Sequence, residues 1–155
     1  MSRETADVIE AGSWGNVPDG RDVQAIQNLL QMYALACDAG RASDLAPMFT
    51  PDAVWDGTGL GFVVAEGPGQ IGDAVVGHFD PARPMMHLPG PAVLTAVADA
   101  QVRAVSWCLA TRWTDGEIRP HIHFYYDDEL VRGADGTWRF RSRRLRPAFP
   151  TATVQ

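Results

Sequence analysis

The stretch Gln101-Val-Arg-Ala-Val-Ser-Trp-Cys-Leu-Ala-Thr-Arg-Trp113 holds β-branched and aromatic residues without a glycine or proline, which predicts one long strand. Side chains of a strand alternate between faces. Val105, Trp107, Leu109, Thr111 and Trp113 therefore share one face, and Ala104, Ser106, Cys108, Ala110 and Arg112 share the other. The larger residues are expected to point into the core. The small outward row, Ala104, Ser106, Cys108 and Ala110, suits sheet-to-sheet packing between chains.

The strands on either side agree. Pro91–Ala98, Ile118–Val131 and Thr137–Arg146 read as further antiparallel strands, and Asp115-Gly116 and Asp135-Gly136 mark two of the turns. In the last of them Trp138, Phe140 and Ser142 stand opposite Arg139, Arg141 and Arg143. Everything before residue 91 is helix and loop with two shorter strands. Val23, Ile26, Leu29, Leu30, Tyr33, Leu35 and Cys37 fall at helical spacing, with Asp22 as the expected cap and Gly40 as the left-handed stop. Ser43 opens a short second helix, Ala53–Asp56 and Phe62–Ala65 read as strands, and Gly69–Phe79 reads as a third helix. Pro81, Pro84, Pro89 and Pro91 hold an extended connector around Met85-Met86-His87. Helices first and a long antiparallel sheet after them define an α+β arrangement. Residues 1–20 form an arm, 21–147 one domain and 148–155 a tail. Trp14 in the arm is expected either to pack on the outside of the domain or to cover a pocket mouth or a partner subunit.

With 155 residues, 46% hydrophobic and 21% charged, the chain has the length and composition of a single globular domain. A net charge of −6 argues against nucleic acid as a partner. All 13 basic residues are arginine, which excludes lysine Schiff-base chemistry and a P-loop lysine. Cys37 and Cys108 lack metal or redox spacing and read as small buried hydrophobes. No stretch is long enough to span a membrane, and the first residues carry early acids without an apolar run, so a cytoplasmic location is expected.

A tyrosine and an aspartate among apolar helix residues, Tyr33-Ala-Leu-Ala-Cys-Asp38, need partners if they are buried. Five residues on a straight helix is about 140° of rotation, so spacing alone does not join them. His121 and His123 share a strand face by alternation, either inward or, if Ile122, Phe124 and Tyr126 form the buried row, outward. With His87 they would also make a legitimate zinc or iron ligand set, though a metal is not the favoured reading. Arg141, Arg143, Arg144 and Arg146 read as a solvated edge paired with Asp127, Asp128 and Glu129.

The run Tyr33–Asp38, the turn Phe49-Thr-Pro-Asp-Ala-Val, the helix entry Gly67-Pro-Gly-Gln-Ile and the closing strand Asp135-Gly-Thr-Trp-Arg-Phe resemble the SnoaL-like branch of the nuclear transport factor 2-like superfamily. The resemblance covers about residues 21–147. It implies a cone-shaped α+β barrel: a curved mixed or antiparallel sheet wraps around N-terminal helices and encloses an apolar pocket, in chains that are commonly dimers or trimers. By resemblance to the dehydratases and cyclases of this branch, Tyr33, Asp38 and His87 are the expected catalytic residues, acting without a cofactor. His121, His123, Trp55, Trp107 and Thr111 are then the expected contacts to a small cyclic or polyketide-like compound. Two departures stand out. The further acid or base of the dehydratases falls on Thr111, which cannot titrate at neutral pH. The catalytic aspartate of ketosteroid isomerases falls on Gly57, and Asp56 beside it points to the opposite strand face. The alternative is a non-catalytic ligand-binding protein, or a small subunit resembling the beta subunit of ring-hydroxylating dioxygenases.

Overall fold

The computed structural model describes residues 16–77 and 79–149, so the expectations about Trp14 lie outside the described residues. Helix α1 spans Gly20–Asp38. Its cap is Asp19, whose carboxylate accepts the backbone N–H groups of Arg21 and Asp22, three residues earlier than the expected cap. Asp22 sits in the first turn instead. Its carboxylate accepts the Trp138 indole N–H at 2.7 Å and both of its oxygens meet Arg132, tying the start of α1 to the far end of the sheet. Ile26, Leu30, Tyr33, Ala34 and Ala36 form the buried stripe of α1. Gly40, at φ +62°, turns the chain back, and any side chain there would collide with the Phe79 ring.

Helix α2 (Ala42–Leu45) and a single 3-10 turn lead into β1 (Phe49–Asp56), followed by β2 (Val64–Glu66) and α3 (Gly67–Val76). The proline-flanked connector is itself a strand, β3 (Met85–Pro89). Then come β4 (Val93–Ala98), β5 (Gln101–Thr114), β6 (Glu117–Arg132) and β7 (Trp138–Pro147). The order across the sheet is β2-β1-β7-β6-β5-β3, with β4 also paired to β5. Only β1 and β7 run parallel among the paired strands described. Asp115 and Gly116 both have positive φ, at 53° and 83°, so the turn joining β5 to β6 is the tight left-handed kind that Asp-Gly favours. The sheet curves over α1 as an open cone. No helix among the described residues is long and apolar enough to cross a membrane.

The faces of β5 are the reverse of the expectation. Val102, Ala104, Ser106, Cys108 and Ala110 are buried, while Trp107 is 61% and Trp113 44% exposed. Residue volume misleads here because the concave face is filled from neighbouring elements. Tyr33, Phe49, Phe124, Tyr126 and Phe140 supply the bulk, and small residues on β5 leave room for them. The row proposed for packing between chains is therefore the inner one.

The last strand also departs from simple alternation. Leu130 pairs with Phe140 but Glu129 pairs with Ser142, so Arg141 is an extra residue, a β-bulge that switches the faces beyond it. Arg143 thereby turns inward instead of joining a solvated edge. It is 1% exposed and donates from Nε and an Nη atom to the two carboxylate oxygens of Asp128, each at 2.8 Å. Its guanidinium lies 4.0 Å from the Tyr33 ring centre and 3.9 Å from that of Tyr126. The rest of the basic cluster does lie outside: Arg146 pairs with Asp127 at 2.8 Å and Arg144 reaches Asp56 at 3.4 Å.

Candidate active site

Where the sheet pulls away from the C-terminal end of α1, a cavity of about 410 Å³ opens. Tyr33, Cys37 and Asp38 reach it from α1, and Trp55, Phe62, His87 and Phe124 are among its walls. Because the cavity surrounds the helix end, residues 33 and 38 both face it despite their angular separation. The helix supplies the two groups and the fold brings them to one space.

His87 stands on β3 opposite Ala110, on the inner side of the sheet. Its Nδ1 lies 2.6 Å from Asp38 Oδ1, and its backbone N–H also donates to both carboxylate oxygens, at 3.0 and 3.1 Å. The backbone contact fixes Asp38 relative to the strand, and the side-chain contact fixes the ring. With an ionised Asp38, Nδ1 carries the proton and Nε2 is the ring nitrogen left to a ligand. Both side chains are four-fifths buried or slightly more, with exposures of 17% and 20%. Phe124 meets the ring edge-on at 6.5 Å.

Tyr33 accepts the Trp55 indole N–H at 3.0 Å, and its hydroxyl is also hydrogen-bonded to the Cys37 side chain one turn further along α1. Burial pushes the Tyr33 hydroxyl well above the ordinary tyrosine range, keeping it a neutral donor. Burial likewise pushes the Cys37 thiol up to about 12, so it faces the cavity as a protonated group and not as a nucleophile.

The other expected site residues divide. Trp55, 3% exposed, is cavity wall. Trp107 and Thr111 lie on the outer face, which corrects their expected place in the pocket. Thr111 donates to the Met86 carbonyl at 3.4 Å beside an external groove that includes Trp113 and Ile118. The two histidines of β6 separate. Ala110 pairs with Ile122 but Thr111 pairs with Pro120, so His121 is the extra residue of a second bulge. His121 reaches the cavity, whereas His123 falls on the outer side and stacks edge-to-face with Phe149 at 5.6 Å. Burial first, then Arg112 and His87, holds the His121 imidazole below the usual histidine range, so it is neutral at neutral pH. The three imidazoles do not converge, and no group of three potential ligands stands together among the described residues.

Arg112 is a cavity residue outside the expected set, as are Phe62, Asp80, Arg83 and Phe124. The signal for Arg112 was present, since it is the one charge in the row of small β5 residues, but that row had been placed outside. Asp56 is turned to the outer face, where it accepts the Thr58 hydroxyl at 2.6 Å.

The model of the SnoaL-like domain matches residues 19–144, and the chain belongs to that family. Solved structures agree on the fold. A Novosphingobium aromaticivorans protein provisionally named a scytalone dehydratase is 22% identical with TM-score 0.69, over 83% of this chain and 85% of that one. ActVI-ORFA from Streptomyces coelicolor is 22% identical with TM-score 0.72, over 81% and 96%. An NTF2-like protein with a cystatin-like fold, also from N. aromaticivorans, is 22% identical with TM-score 0.74, over 85% of each chain. No curated protein matches the chain.

Proposed function

We propose that the chain is a cofactor-independent acid–base enzyme of the dehydratase, isomerase or cyclase type, acting on a small cyclic or polyketide-like carbonyl compound. The observation that carries this reading is the 2.6 Å contact between Asp38 and His87 at the wall of the cavity. His87 Nε2 removes a proton from the carbon alpha to a carbonyl, while Asp38 holds the ring and balances the imidazolium that forms. The Tyr33 hydroxyl donates to the oxygen on which the enolate charge develops. In an elimination His87 returns the proton to the departing hydroxyl, and in an isomerisation to another carbon. The neighbour provisionally named a scytalone dehydratase, which shares the fold, supports this class.

The test is hydrogen–deuterium exchange at the alpha carbons of a tetralone, a flat bicyclic ketone, followed by NMR in heavy water. Exchange faster than in buffer is expected. Exchange at the buffer rate, for this probe and for hydroxylated tetralones, would turn the reading to a non-catalytic binding protein or subunit.

Self-association belongs to the same proposal. Trp107, Leu88 and Val93 on β5, β3 and β4 leave an exposed apolar outer face that a second copy would cover. Sedimentation is expected to give a dimer or trimer for the wild type and a smaller species for Trp107→Glu. A monomeric wild type, or an unchanged variant, would overturn this part.

A further inference from the structure

One cation of the cavity is left without a contact partner. Asp38 is engaged by His87, and Asp80 at the rim pairs with Arg83 at 2.8 Å. Arg112 also lines the cavity, yet its guanidinium makes no ion pair or hydrogen bond among the described residues, and its Nε is buried without a partner. A buried donor left unmatched costs free energy, and on a long cationic side chain it marks a place built for an anion from outside. The guanidinium fork fits a carboxylate with two parallel hydrogen bonds.

Its position is defined by the sheet. Arg112 pairs with Met85 on β3, and His87 pairs with Ala110, so the two side chains stand on the same inner face of adjacent strands. Two residues along a strand separate those levels by about 7 Å, roughly the width of one ring with its substituents. His121, placed by its bulge, lies within the electrostatic reach of both Arg112 and His87.

We infer that the substrate of this cavity is a flat cyclic acid, with its carboxylate held by Arg112 and its reacting carbon delivered to His87. The inference rests on the proposed acid–base function for the second half of that statement, while the first half is a property of binding alone. An anion on Arg112 cancels the positive field that now opposes protonation of His121, which gives a local reporter.

The experiment compares naphthoate with its uncharged counterpart naphthamide by calorimetry, with His121 followed by NMR titration. In the wild type naphthoate is expected to bind at least roughly tenfold more tightly than naphthamide, the size expected for hydrogen bonds to a charged group. Naphthoate, but not naphthamide, is expected to move the His121 titration to higher pH. Arg112→Met should abolish both differences. Asp38→Asn, which disables the proposed acid–base pair, should leave the preference for the acid intact. A naphthoate that fails to bind, binds no better than naphthamide, or keeps its advantage in Arg112→Met overturns the inference. A preserved preference with no alpha-carbon exchange would instead overturn the acid–base reading alone.

Discussion

Asp128→Ala is expected to lower the free energy of unfolding by about 3–5 kcal/mol, because it leaves the Arg143 cation in the core without its counter-charge. Both side chains are 1% exposed, and the pair is joined by two 2.8 Å hydrogen bonds. Burial pushes the Asp128 carboxyl up, while the adjacent guanidinium pulls it the other way. Arg143 is held above the ordinary arginine range: burial works against its charge, and the Asp128 carboxylate more than offsets that. The rings of Tyr33, Tyr126 and Phe140 pack around the guanidinium, and a carboxylate removed from beside it has no polar replacement among them. Arg143→Lys is not a conservative alternative, since an ammonium lacks the planar face that stacks between the rings and the rigid fork that meets both oxygens in parallel. The double variant Asp128→Leu, Arg143→Met, however, should recover most of the loss, since removing both charges removes both desolvation penalties. Urea unfolding of the three variants checks this. A loss under about 1 kcal/mol for Asp128→Ala would mean that solvent reaches the pair.

The second large effect concerns turnover. Asp38→Asn is expected to slow alpha-carbon exchange by roughly 10²- to 10⁴-fold, and His87→Gln by a comparable factor. The asparagine can still accept the His87 backbone N–H through its amide oxygen, so the local fold should survive. What it loses is the charge that stabilises an imidazolium, and its amide N–H₂ can pair with the wrong ring tautomer. The double variant should be little slower than either single one if the two side chains work as a unit. Rates multiplying in the double variant, or single variants exchanging at the wild-type rate, would sink the assignment. Circular dichroism melts of the same proteins separate lost chemistry from lost structure.

The elements were legible because helical spacing, Asp-Gly turns and long strand-forming runs are local signals. The two bulges were not. An extra residue at Arg141 and another at His121 reverse the facing of all that lies beyond them, yet neither changes the pattern of residue types. A buried Arg143 and the separated fates of His121 and His123 follow from those two insertions. The inner face of β5 was misread for a different reason, since bulk on one strand was equated with burial when its neighbours supply the volume. The Tyr33, Asp38 and His87 group was reached only through resemblance to a known fold, because its closeness depends on where a curved sheet leaves space.

The parallel pairing of β1 with β7 has a consequence for how the chain comes to be folded. Phe49 pairs with Phe140, so the first strand waits for nearly the whole domain to emerge before it finds its main partner. Joining segments so far apart carries a loop-closure entropy that local hairpins avoid, and such contacts slow folding. During synthesis β5 and β6 can zip through their tight turn at once, while β1 and β2 remain an isolated two-stranded ribbon, too small to be stable. The same final strand brings Phe140 and Arg143 under Tyr33. Closing the sheet and seating the tyrosine beside the cavity are therefore one event, and it comes late.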